Sequence, residues 1–313
     1  MTPQPNRPQP PGATRAISPS DVALYAVMVG LWGASFIGIE FQLGVVPPEV
    51  SIFWRYLIAS VTMVAICVLR GRSLFGFSRG DHAYFVALGL FFFSLNYVLI
   101  YHGQVHLTSG LAAIIFTMAL FFTALNARLF LGSPLSRQII LSGLFGIGGL
   151  VILFGDSLFE SGLDASSLVG VGFMLAAAYV VSMATIITAK LNIRRVPVLQ
   201  ANGWGMIYGA LFNLLFVLAL GHEFVFEWRL GYVLSLLYLS LPAGVLAFLM
   251  YFEIVRRIGP ARASYFTLMS PMVAVVISVF VEGLPVSWSL GAGVLAVLIG
   301  NYVAMRARVA PGA

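Results

Sequence analysis

The side chains able to do chemistry in this 313-residue chain are few, and most of them lie inside long apolar runs. Trp32, Phe36 and Glu40 recur at four-residue spacing and so share one face of a helix. Tyr97 and Tyr101 repeat that spacing, as do Tyr265 and Met269, and Tyr179, Ser182 and Met183 form a comparable strip. Counting ~1.5 Å per residue from the ends of each run places Trp32, Asn96, Met118, Tyr179, Tyr208, Pro242, Ser270 and Pro271 near the middle. Rings with a few hydroxyls and one amide are a binding set. They stack on a flat or apolar small molecule and orient it, and they make or break no bond.

Enzyme chemistry is not expected. The runs hold no His-Glu-x-x-His, no Gly-x-Ser-x-Gly and no paired acids. A Gly-x-x-x-x-Gly-Lys-Ser/Thr loop is also missing, so no nucleotide or other cofactor is called for. His102 and His106 stand four apart without a third ligand nearby, which argues against a metal. Aromatic residues make up 13% of the chain, and many are expected to pack between helices or anchor at the interface instead of lining a cavity. Asn96 is the better candidate, because an amide in hydrocarbon needs protein or water beside it.

Charges inside the runs are rare, since each costs roughly 2.5–3.5 kcal/mol at the bilayer centre. Glu40 and Arg55 both lie near the same end of adjacent runs and are expected to pair, with a gating or substrate-contacting role as the alternative. Glu253 precedes Arg256 and Arg257 by three and four residues, the spacing of a surface ion pair. No acid falls at the midplane, so a proton relay of the Asp or Glu kind is not visible. Pro242 and Pro271 remove backbone donors in mid-run, and the residues that correspond to them in the first half, Phe91 and Leu120, are not proline. A bend that serves gating is therefore expected in the second half only.

The elements that must position these residues are membrane-spanning helices. The chain is 60% hydrophobic and only 9% charged, against roughly 25% charged in soluble domains. Apolar runs fall at about 22–43, 50–69, 83–103, 109–131, 138–155, 167–189, 199–220, 231–254, 262–281 and 288–305, most of them near the ~20 residues that cross a bilayer. The loops provide a separate test through the preference of Lys and Arg for the cytoplasmic side. With the N-terminus inside, 15 of the 17 basic residues are cytoplasmic, leaving Arg229 outside and Arg55 within the second run. The net charge of +6 is thus an orientation signal and not a nucleic-acid surface. Residues 1–20 and 307–313 are expected to be cytoplasmic tails, the first disordered, and Cys67 has no partner for a disulfide.

The region from Tyr101 to Pro134 resembles that from Phe252 to Pro285 at an offset of 151: Ala112 matches Ala263, Met118 matches Met269, and Gly132-Ser-Pro134 matches Gly283-Leu-Pro285. Two repeats follow, 21–155 and 156–306. Five helices is an odd number, so the second repeat is inverted, an arrangement suited to alternating access at the midplane. The fold expected is all-α, with ten transmembrane helices as two inverted five-helix repeats.

Leu31-Trp32-Gly33-Ala34-Ser35-Phe36, Pro48 with Phe53-Trp54-Arg55-Tyr56, and Glu282 before Gly283-Leu-Pro285 resemble the EamA-type drug/metabolite transporters over residues 20–306. In the first half Leu131 replaces that acid. Within the superfamily the chain is similar to the YddG-type exporters of aromatic amino acids. The resemblance implies a cavity lined by helices one, three, four, six, eight and nine, which sets Tyr208 aside. It implies export of aromatic or other large neutral amino acids across a bacterial inner membrane, with threonine, homoserine, nucleobases or drugs as alternative cargo. The partners implied are a small-molecule substrate and membrane lipid, and a monomer suffices for that plan.

Overall fold

A computed structural model of the chain describes residues 18–133, 136–154, 165–258, 263 and 266–306. Its helical spans are α1 (Pro19–Glu40), α2 (Pro48–Leu69), α3 (Arg79–Gln104), α4 (Ser109–Leu131), α5 (Arg137–Leu153), α6 (Ala165–Ile193), α7 (Val198–Ala219), α8 (Leu230–Ile258), α9 (Phe266–Val281) and α10 (Trp288–Met305). Eight of these are long and apolar enough to cross a membrane, and α5 and α9 are shorter apolar helices. The protein is a multi-pass membrane protein, with ten helical spans in two halves among the described residues.

Local sequence sets the helix ends. Ser18 and Ser78 each form a capping box with an aspartate three residues on, Asp21 and Asp81, which satisfies donors at the starts of α1 and α3. Gly132 and Gly283 follow α4 and α9 with the same φ of 69°, the left-handed conformation in which glycine ends a helix without steric cost. These are the glycines of the repeated Gly-x-Pro, and Pro134 itself lies outside the described residues.

The packing has the symmetry that the repeat requires. Helix α5 packs on α10, α2 on α7 and α4 on α9; α1 meets α8 and α9 as α6 meets α3 and α4; α2 meets α8 as α7 meets α3. Shifting every helix by five places returns these pairs, whereas the contacts of α4 with α1 and α10 have no counterpart of similar extent. The α5–α10 seam shows the inversion atom by atom. A Cβ on Gly149 would lie 2.8 Å from the carbonyl oxygen of Gly293, and one on Gly300 would lie 2.8 Å from that of Ser142. The two contacts are images under the 151-residue offset. Position number falls on one helix as it rises on the other, so equivalent helices run antiparallel. Small residues at this seam let the backbones touch, which is how helices associate in lipid.

Two expectations need correction. Glu40 and Arg55 do not pair: among the described residues Arg55 makes no ion pair, and its Nε and Nη1 are buried without hydrogen-bond partners. Its guanidinium instead lies over the ring of Tyr97, 4.1 Å from the centroid. Nor is helix distortion confined to the second half. A π-helical turn interrupts α8 at Pro242–Leu246 and another interrupts α3 at Phe91–Leu95, 151 residues earlier. The distortion belongs to the repeat, and the first half makes it without proline. Pro271 lies inside α9, which continues through it.

Candidate functional site

Each π-turn holds a backbone carbonyl that a side chain from another helix reaches. A turn that gains a residue breaks the regular i to i−4 ladder, and such turns recur at functional sites. In α3 the Nδ2 of Asn213, on α7, donates to the carbonyl oxygen of Phe93 at 3.1 Å, while Ser94 Oγ donates to Asn213 Oδ1 at 2.7 Å. In α8 the indole Nε1 of Trp32 donates to the carbonyl oxygen of Ala243 at 3.2 Å. Trp32 is thereby fixed at the middle of the bundle, with Phe266, Phe248 and Tyr251 around it at 4.6, 5.4 and 5.7 Å between ring centroids.

From Trp32 a continuous series of rings crosses between the halves. Phe248 meets Phe93 at 6.2 Å, Phe93 meets Tyr56 at 5.5 Å, and Tyr56 meets Tyr97 at 5.4 Å. Tyr97 and Phe248 occupy equivalent positions, 151 apart, so the series straddles the pseudo-twofold axis. It ends at Arg55, which is 2% exposed and also lies 5.4 Å from the Tyr56 centroid. The repeat position of Arg55 is Met206, so this charge has no counterpart in the second half. Tyr101, buried beside Arg55, donates its hydroxyl proton to Gln42 Oε1 at 2.5 Å, and Gln42 Nε2 is left buried without a partner.

The other residues singled out by sequence are distributed as follows. Phe36 packs on Phe116 at 6.0 Å, and its carbonyl accepts from Gln104. Asn96 is buried at the end of the α3 π-turn with an unpartnered Oδ1. Met118 is buried at the break in α4, and Ser270 is buried on α9 one residue from the half-exposed Met269. The Tyr179, Ser182 and Met183 strip turns to α4: Tyr179 meets Phe122, and Ser182 Oγ accepts from Asn126 Nδ2 at 2.6 Å. No ring contact joins that strip to the series among the described residues. Tyr265 lies outside them.

Sequence reasoning missed Tyr56, Phe93, Phe248 and Gln42. Gln42 carried a signal, since a buried amide near the end of an apolar run needs a partner. The three rings carried none beyond their abundance.

Charged groups cluster at the two ends. At the end where α1 begins and α10 finishes, Glu253 accepts from Arg256 at 2.6 and 2.8 Å and from Arg257 at 2.6 Å, as the spacing predicts. Arg257 also reaches Asp21 of α1 at 3.3 Å. A cleft of about 370 Å³ opens there, lined by Arg70, Leu199, Leu249, Phe252, Glu253 and Arg256 among others, and reaches the neighbour of Phe248. At the opposite end Glu282 accepts from the backbone N–H of Ser109 at 2.9 Å and from its hydroxyl, closing α9 against the start of α4. His102 Nε2 lies 2.8 Å from Glu49 there, and His222 Nε2 lies 3.4 Å from it.

The profile of the EamA-like transporter family matches residues 21–155 and, a second time, 168–306. The uncharacterized transporter YdfC of Bacillus subtilis is 27% identical over 278 residues, covering 87% of each chain. Protein PagO of Salmonella typhimurium is 24% identical, covering 93% of this chain and 94% of its own. The uncharacterized inner membrane transporter YedA of Escherichia coli is 24% identical over 92% of this chain and 94% of its own. A solved crystal structure of a protein superposes with a TM-score of 0.64 at 19% identity, covering 91% of this chain and 96% of that one, a likeness of fold alone.

Proposed function

Because this chain belongs to the EamA-like transporter family, we propose that it is a secondary transporter exporting aromatic or other large neutral amino acids, or closely related metabolites. Its place is a bacterial inner membrane, with both chain ends in the cytoplasm. The observation that carries the reading is the series of rings from Trp32 through Phe248, Phe93 and Tyr56 to Tyr97, which crosses the interface between the two halves. Rings offer stacking to a flat or apolar cargo. The same contacts can shear when the halves rock, because they are offset and edge-on, with few directional bonds among them.

The mechanism follows from that placement. A cargo molecule reaches the rings through the cleft beside Leu249 and Phe252, at the end where α1 begins and α10 finishes. Trp32 and Asn213 hold the π-turns of α8 and α3 while the halves move. Release at the opposite end requires the contact between Glu282 and Ser109 to part. Trp32, Phe36, Asn96, Tyr97, Tyr101 and Ser270 face the cargo in this scheme.

Purified protein in liposomes loaded with unlabelled phenylalanine is expected to take up labelled phenylalanine in a saturable way. Alanine at Tyr97 or Phe248 should reduce that exchange at unchanged protein level. Uptake that does not saturate, or that is indifferent to both substitutions, contradicts the proposal.

A further inference from the structure

Arg55 stands out as a cost that the fold itself does not recover. It lies seven residues into α2, about 10 Å from the helix start at ~1.5 Å per residue, and it is 2% exposed. Taking a guanidinium out of water is offset in other proteins by an acid or by saturated hydrogen bonding. Among the described residues no acid pairs with it, and although Tyr101 accepts one hydrogen bond from it, Nε and Nη1 are both buried and unpartnered. Among the described residues Arg55 is also the one Lys or Arg that is buried. The two tyrosine rings beside it attract the cation through their faces. They leave the Nε and Nη1 N–H groups unused.

The neighbouring polar groups sharpen the demand. Tyr101 spends its hydroxyl proton on Gln42 Oε1, and Gln42 Nε2 is then a further buried donor without an acceptor. The cluster therefore presents donors from α2 and from the turn after α1, and one net positive charge. What satisfies it is an acceptor of single negative charge, which such charged N–H donors bind strongly. A phosphate near −2 would need a second cation, and no other buried Lys or Arg is described.

We infer that Arg55 is the anchor for the carboxylate of the transported molecule, with Gln42 Nε2 as a second donor and the Tyr97 ring as the wall beside it. The inference rests on the transporter reading and narrows its cargo to carboxylate-bearing molecules. The carboxylate supplies the guanidinium with the partner it lacks in the unloaded protein, which removes the cost of leaving it buried and unpaired. Loaded protein should then change conformation more readily, which favours exchange over empty return.

The test is a thermal-stability titration of the purified wild-type protein in detergent with 3-phenylpropionate, which lacks the ammonium, and phenethylamine, which lacks the carboxylate. The acid is expected to raise the unfolding temperature at concentrations at least tenfold lower than the amine. Arg55→Gln should lose the response to the acid while eluting as the wild type does. Arg55→Lys, which keeps the charge but not the planar fork, should respond with about tenfold weaker affinity, equivalent to ~1.4 kcal/mol.

Equal responses to acid and amine, no response of the wild type to the acid, or an undiminished response in Arg55→Gln would each overturn the inference. Phenylalanine exchange measured alongside separates the two ideas. Exchange without preference for the acid removes the anchor and leaves the exporter. Preference for the acid without phenylalanine exchange leaves the anchor and removes amino acids as cargo.

Discussion

Trp32 and Ala243 are joined across the two halves by a single bond, the indole N–H of α1 donating to a carbonyl in the π-turn of α8 at 3.2 Å. The π-turn of the first half also accepts a bond from the other half, at Phe93 from Asn213 of α7. Both π-turns therefore depend on a donor from elsewhere in the bundle. Trp32→Phe keeps most of the ring and removes the donor, so it should destabilise by about 1 kcal/mol, the usual net worth of such a bond. Thermal unfolding in detergent measures it. An unchanged midpoint would mean that the carbonyl has another partner.

Adjacent glycines on α5 should behave oppositely. A Cβ on Gly149 would fall 2.6 Å from Val297 Cγ2 and 2.8 Å from the Gly293 carbonyl oxygen, whereas one on Gly148 meets nothing within 4 Å. Gly149→Ala should cost about 1–3 kcal/mol by overpacking. Gly148→Ala should be neutral, or stabilising by up to ~1 kcal/mol through helix propensity. Comparing the two unfolding midpoints tests the seam directly, and equal midpoints would argue that α5 and α10 do not touch there.

The helix plan was legible because spanning length and basic loops each leave a mark on the sequence. The repeat was legible at Gly132 and Gly283, where both copies need the same left-handed φ. The π-turn of α3 was not, because Phe91–Leu95 holds no proline and its extra residue is stabilised by Asn213, 118 positions after Leu95. The Arg55 environment was hidden for a related reason. Proximity along the chain suggested Glu40, yet the α3 rings pack over the guanidinium face, and no periodicity within α2 reports on that.

Glu282 explains an asymmetry between the repeats. Its carboxylate accepts from the backbone N–H of Ser109 at the start of α4, a role that Leu131, its counterpart, cannot fill. Glu282→Ala removes that cap from a helix of the other half. A loss of about 1–2 kcal/mol is expected, with Glu282→Gln intermediate because an amide oxygen still accepts. If the glutamine variant were as unstable as the alanine one, the charge and not the cap would be what matters.

The ring series should carry more of the transport than rings elsewhere in the protein. Tyr97→Leu removes contacts to Tyr56 and Arg55 and is expected to lower phenylalanine exchange about tenfold, or ~1.4 kcal/mol. Phe224, which packs with Phe53 and Trp54 away from the series, serves as the control, and its leucine variant should keep near-normal exchange. Similar losses in the two variants would remove the distinction.

The most direct measurement is accessibility at Asn96, a residue 2% exposed and next to Tyr97. Cysteine placed there, with the buried Cys67 replaced by alanine, can be probed with a membrane-impermeant thiol reagent applied separately to each face of oriented vesicles. Halves that rock about an inverted twofold axis should let the reagent reach Asn96→Cys from both faces, more slowly when phenylalanine is bound. Labelling from one face only, unaffected by phenylalanine, would contradict the account.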